Sequence, residues 1–175
     1  MADSSVNWGS VADWVSGLGS MSAGIVALYL ARAASRIRLR GYCGIRTVIE
    51  MGDTPPHDVL MISVTNVGTR ATIINNISIR VGFLKKRYGV ITLLRDRYSV
   101  EVPFPLGDGQ EGHWGIPLDN DEAWLKGLCK SLVKTPRDVR TLRFCIHTNH
   151  GEVLRLRPEE QLQQAVLRHV SRKDA

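Results

Sequence analysis

The chain has 175 residues, 43% of them hydrophobic, with 16 Gly, 7 Pro and a formal net charge of +6. Such a composition excludes a disordered polar tail, a linker and a collagen-like repeat, and the length fits one domain with at most an appendage. Three Cys are too few for a disulfide scaffold.

The charge is unevenly spread. Residues 1–31 carry Asp3 and Asp13 and no base; residues 32–49 carry Arg32, Arg36, Arg38, Arg40 and Arg46 and no acid. The first stretch is therefore −2, the second +5, and residues 50–175 only +3. Between Trp14 and Ala31 lie 18 residues without a charge, about 27 Å of helix, which approaches the hydrocarbon thickness of a bilayer. Trp8, Trp14 and Tyr29 stand near its ends, where amphipathic rings favour the interface. The pattern predicts a transmembrane helix over about 12–32 within an N-terminal segment 1–36. The arginines that follow would stay inside, leaving the N-terminus out and the rest cytoplasmic. A cleaved signal peptide needs a basic start, and this chain opens acidic. A buried helix at the core of a soluble oligomer is the other reading, since the first half of the segment is rich in Gly and Ser.

Ser16, Ser20 and Gly24 recur at every fourth position, and Ala23, Ala27 and Ala31 form a second such row. Small residues at this spacing let membrane helices approach closely, so these rows are the expected self-association face.

After the anchor, Ile37 to Met51 alternates apolar and polar positions, the mark of a half-buried strand. Asp53-Thr-Pro-Pro56 ends it. Val59–Val67 reads as the next strand, with Leu60, Ile62 and Val64 inward. Asn66-Val-Gly68 is a turn, and Thr72–Val81 returns with Ile73, Ile77 and Ile79 inward. The basic loop Lys85-Lys86-Arg87 precedes a short strand near Val90–Leu94. Residues 103–120, rich in Pro and Gly, read as irregular connection.

A helix near 120–134 follows, capped by Asp119, Asn120 or Asp121, with Trp124, Leu125, Leu128, Cys129, Leu132 and Val133 on one side. Lys126, Lys130 and Lys134 line the other side, and Thr135-Pro136 stops the helix. Val139–Thr148, a turn at Asn149-His-Gly151, and Glu152–Arg157 read as a hairpin with Leu142, Phe144 and Ile146 inward. A last helix near 159–170 places Leu162, Ala165, Val166, His169 and Val170 on one face. The fold class is thus α+β, mainly β. The anchor is followed by a domain over 37–175, an antiparallel β-sandwich or partly open barrel with two amphipathic helices.

Ser63-Val-Thr-Asn-Val-Gly68 resembles a turn of immunoglobulin-like bacterial domains. In outline the chain resembles uncharacterised bacterial single-pass proteins with an N-terminal anchor, an arginine-rich border and a small β domain. That resemblance implies a place at the bacterial inner membrane and a fold class, not an activity.

Few residues point to chemistry. Cys145, His147 and His150 would need His113, Cys129 or a distant carboxylate to complete a zinc site, and no spacing supports one. Arg143 and His150 loosely match the Arg-x(4–6)-His pattern of HEPN ribonucleases, whose residues lie on helices, whereas this segment reads as a hairpin. Asp119, Asp121 and Glu122 are what a helix N-terminus favours in any case. With no nucleotide, hydrolase or zinc-protease fingerprint, no enzyme and no cofactor is expected.

The basic clusters remain. Arg32, Arg36, Arg38 and Arg40 beside a bilayer would meet anionic headgroups, and Lys85, Lys86 and Arg87 are further candidates for phosphate contact. Arg95 and Arg97 form a third, short cluster. Tyr88 and Tyr98 are the scarce aromatics that a nucleic-acid platform would use.

The expected function is a membrane-anchored homo-oligomer that binds lipid and, through its β domain, a protein partner. A more specific version is a pore or membrane-perturbing effector of the kind found in bacterial anti-phage defence. The alternative is a soluble phage or bacterial inhibitor, or a nucleic-acid-binding module, whose first helix forms an oligomer core.

Overall fold

The computed structural model describes residues 11–34, 36–49, 55–92, 97–118 and 122–171. They fall into two units, 1–36 and 37–175. The expected strand end at residues 50–54, Trp8, Arg95 and the candidate caps at 119–121 lie outside the described residues.

The first unit is a helix, α1 (Val11–Ala34), with Asp13 in its first turn and Arg32 in its last. Both charges suit the helix dipole.

The second unit is β-rich. Its strands are β1 (Leu39–Val48), β2 (His57–Asn66), β3 (Thr72–Val81), β4 (Arg87–Val90), β5 (Phe104–Leu106), β6 (Glu111–Leu118), β7 (Arg143–Thr148) and β8 (Val153–Leu156). Its helices are α2 (Ala123–Ser131), α3 (Pro136–Thr141) and α4 (Glu160–Ser171). One sheet has the order β1-β2-β6; the other runs β4-β3-β7-β8, with β5 also on β3. Every pairing is antiparallel. Both sheets are open, so the barrel alternative is set aside.

A single hydrophobic core draws on both sheets and the three helices. Leu60, Ile62 and Val64 of β2 meet Ile77, Ile79, Phe144 and Ile146 of the other sheet, with Leu125, Leu162 and Val166 closing it. Asn66 ties the β2 turn: its Oδ1 accepts from the Gly68 N–H at 3.0 Å, and its Nδ2 donates to the Arg70 and Leu106 carbonyls. Such Asx turns are why Asn is favoured there.

Several expectations are corrected. Residues 103–120 are not irregular: they hold β5 and β6, and β6 pairs with β2 from Asp58↔Leu118 to Thr65↔Glu111. Pro117 is tolerated because β6 is an edge strand. That edge is covered by Ser99, whose hydroxyl bonds both Gly115 N–H and C=O, and by the Val100 N–H on His113.

In β3 it is Ile74, not Ile73, that is buried; a bulge between Ile74 and Asn76 switches the inward phase to odd positions from Ile77 onward. Of the strand placed near 90–94, residues 93–94 lie outside the described residues; the strand that the structure describes, β4, runs earlier, over 87–90, so Arg87 is in a strand. β1 ends at Val48, and Thr47 turns outward to donate to Asp58.

Thr135-Pro136 does not stop the helix expected over 120–134, because α2 already ends at Ser131; the dipeptide starts α3. Thr135 and Asp138 form a reciprocal capping box and Pro136 takes the first turn, so 136–141 is helical and the strand begins at Arg143. Glu122 stands at the N-cap position of α2 in left-handed backbone with φ 47°, and its side chain makes no capping hydrogen bond.

Asp138 also pairs with Arg87 at 2.7 Å. Burial alone would raise its carboxyl, but Arg87 and the Lys134 and Thr135 N–H groups outweigh that and hold it below the ordinary range. A lowered folded value means stability that is present above the unfolded carboxyl range and lost as pH falls through the folded value. Asp138→Asn should therefore cost about 1–2 kcal/mol at neutral pH. In acid-denaturation curves the gap from the parent protein should close below about pH 4, near the unfolded carboxyl value.

Candidate functional site: an arginine-rich sheet face

On α1 the apolar side chains point to solvent all round; Trp14, Leu18, Met21, Leu28 and Tyr29 are each more than 60% exposed. Ser16, Ser20, Gly24, Ala23 and Ala27 are exposed on the same helix. A Cβ added at Gly24 would meet nothing within 4 Å, so the row is open to a neighbour of any kind.

The expected basic residues have different fates. Arg32, Arg36, Arg38 and Arg40 are all exposed. Arg46 is not available in the same way: it is bidentate to Glu159 at 2.7 Å and lies 4.9 Å over the Tyr42 ring. Arg87 is held by Asp138. Lys85 and Lys86 are exposed in the connection between β3 and β4.

Of the candidate aromatics, Tyr98 accepts or donates a 2.7 Å bond to His57 and stands 5.6 Å from the Arg97 guanidinium. Tyr88 is 63% exposed.

Register assembles a site that the linear sequence did not reveal. Directly opposed residues on antiparallel strands share a face. Tyr88, Arg80 and Arg143 therefore form one cross-strand row on the outer side of the second sheet. Val90, Ser78, Cys145 and Arg155 form the next row, and Asn76, His147 and Val153 the third. Arg157 follows β8 in phase with Arg155. Four guanidinium groups thus share a face whose rows contain no carboxylate. Among the described residues no acid pairs with any of the four, whereas Arg46 and Arg87 elsewhere in the domain are paired.

The electrostatics match the geometry. Burial depresses the Arg143 guanidinium, and the like charges of Arg157 and Arg80 depress it further. The Nε of Arg80 is buried without a hydrogen-bond partner among the described residues. Cys145 is 3% exposed although it points away from the core. Burial raises its thiol, and Arg80, Arg155 and Arg143 pull the other way. His147 Nε2 sits 2.7 Å from the Ser78 hydroxyl. Fixed cations of one sign on a sheet suit the capture of an anion.

The metal candidates do not converge. His147 is engaged with Ser78, His150 lies in the exposed β7–β8 turn, and no trio of His, Cys, Asp or Glu among the described residues could hold an ion. Arg143 begins a strand and His150 sits in a turn, so the helical setting of the HEPN pattern is missing. Glu122 bonds His169 across α2 and α4.

Alternation in 143–147 and 155–157 carried half of the signal for the arginine face; the missing half was which strands lie side by side. No protein-family model matches this chain, and no curated protein matches its sequence.

Proposed function

We propose that this chain is a single-pass membrane protein whose β-rich domain works as a cytoplasmic interaction module. The observation that supports it most is α1. Val11–Ala33 is long and apolar enough to cross a bilayer, with a mean hydropathy of 1.4, and its most apolar stretch is wholly unburied. Outside lipid or an oligomer, that surface would face water at a cost of about 25 cal/mol per Å². Asp13 in the first turn of the span and the arginine run at its other end favour N-out and C-in topology.

The anchors associate through Ser16, Ser20 and Gly24, with Ala23 and Ala27 beside them, and Arg32, Arg36, Arg38 and Arg40 meet the anionic headgroups. The Ser and Gly content of this row would tolerate water on one face, which extends the reading to a membrane-perturbing assembly.

Fractionation tests the anchor. The chain should stay in the membrane pellet through carbonate extraction; monodisperse protein recovered without detergent would instead establish the soluble oligomer. Crosslinking tests the association. The parent should give a ladder, and Gly24→Leu should lower the oligomer fraction about tenfold, equivalent to about 1.4 kcal/mol. Because a side chain at 24 clashes with nothing inside the chain, a loss reports contact between helices.

A further inference from the structure

The outer face of the second sheet carries like charges side by side. Ile77, Ile79, Phe144 and Ile146 point into the core, where Leu125, Leu162 and Val166 of the helices meet them. The alternate positions of β3 and β7 therefore face outward. There Tyr88, Arg80 and Arg143 lie directly opposite one another on β4, β3 and β7. Arg157, one residue past the Phe144↔Leu156 pair, extends the row beside Arg143, and its charge is felt there. Adjacent strands are about 4.8 Å apart, so the row is about 14 Å long. Arg155 stands one row away, opposite Cys145. Like charges directly opposite one another destabilise a sheet, a cost that a bound polyanion would relieve. The Arg80 Nε meets no acceptor among the described residues. At the end of the row the Tyr88 ring is 63% exposed.

We infer that this face binds single-stranded nucleic acid, with Arg80, Arg143, Arg155 and Arg157 on its phosphates and a base stacked on Tyr88. Guanidinium forks take two phosphate oxygens at once, and their planes also stack on bases. Carboxylates of an acidic peptide would satisfy the arginines but leave the Tyr88 ring in water. A duplex hides its base faces, so stacking on Tyr88 selects a single strand. The inference names a partner for the interaction module, and rests on that reading for the cytoplasmic side, where nucleic acid is found. The contacts themselves lie wholly within the β domain.

The test is the anisotropy of a short fluorescein-labelled oligouridylate, titrated with the full chain in a neutral detergent. Contacts from all four arginines predict that log K falls against log salt with a slope of about −3, about −0.7 per contact. Arg155→Gln with Arg157→Gln, both exposed and so safe for the fold, should bring the slope to about −1.4. Tyr88→Ala should weaken binding about tenfold and leave the slope unchanged. Arg168→Gln removes a charge from the exposed side of α4 and should change neither quantity. A labelled oligothymidylate, run alongside, distinguishes DNA from RNA as the source, and binding of either supports the inference. No binding at low salt overturns it. Binding that survives the Arg155 and Arg157 changes but is lost with Arg36→Gln, Arg38→Gln and Arg40→Gln also overturns it, by moving the contact to the arginine border. Displacement by polyglutamate as readily as by unlabelled oligouridylate, with Tyr88→Ala unaffected, reassigns the face to an acidic protein segment. None of these failures touches the anchor, which fractionation tests separately.

Discussion

Trp114→Ala is expected to destabilise the β domain by about 3–5 kcal/mol, the range for removing a large buried aromatic. Trp114 is 0% exposed and sits on β6 opposite Ile62 of β2. Its ring meets Phe104 edge to face, with centroids 6.2 Å apart and planes at 89°, so β5 and β6 are locked together across the two sheets. Truncation would open a cavity between elements that cannot collapse without losing strand pairing. Trp114→Phe should behave differently. The indole N–H is buried and meets no acceptor among the described residues. Phe removes that unpaired donor while keeping most of the contact, so the loss should be about 1 kcal/mol or less. Denaturant midpoints of the detergent-held chain, read at constant slope, would separate the two variants.

Gly115→Ala should cost about 1–3 kcal/mol even though alanine orders a strand better than glycine. A Cβ at this position would lie 2.5 Å from the Tyr98 Cβ and 2.9 Å from Val59 Cγ1. Both neighbours are fixed. Val59 is fully buried on the far side of β2 from the core, and Tyr98 is held by His57. The strand segment must shift, and the Ser99 bonds to Gly115 would stretch with it. The same denaturation series gives the measurement, and an unchanged midpoint would mean that the 97–100 segment is not seated on β6.

These two residues also show why β6 was hidden in the sequence. Glycine and proline mark loops because they lack a side chain to pack or a donor for the ladder. Here Gly115 is present because a neighbouring segment occupies the space of its side chain, and Pro117 lies on a sheet edge. Both reasons are tertiary, so the alternation between Gly112 and Leu118 was masked.

Where the signal was local, the reading came close: α1, the Asn66 turn, the apolar stripe of α4 and the inward run Leu142, Phe144 and Ile146 all follow from periodicity and turn chemistry. Ile73 failed because a bulge changes phase without any mark in composition. Thr135-Pro136 failed because a dipeptide that suits a helix stop also suits a helix start, and here it caps α3 after α2 has already ended at Ser131.

The candidate site divides along the same line. The small-residue row and the arginine border are linear features of the sequence, and the structure adds only that their described residues are exposed. The face of Arg80, Arg143, Arg155 and Arg157 depends on the pairing of β3 with β7 and of β7 with β8, contacts between residues far apart in the chain. Arg87 and Arg46, both counted among basic clusters, became structural once Asp138 and Glu159 were brought against them. Cations that folding gathers on one face with no acid among them leave a net field there, which is a better guide to an anion-binding face than a run of bases in the sequence.

The central claim is that α1 crosses a membrane with the β domain inside. Impermeant maleimide labelling of spheroplasts addresses it directly, since the three native thiols are buried. Ser5→Cys should react in intact spheroplasts, and His150→Cys only after lysis. Labelling of His150→Cys before lysis, or its recovery in the soluble fraction, would contradict the account.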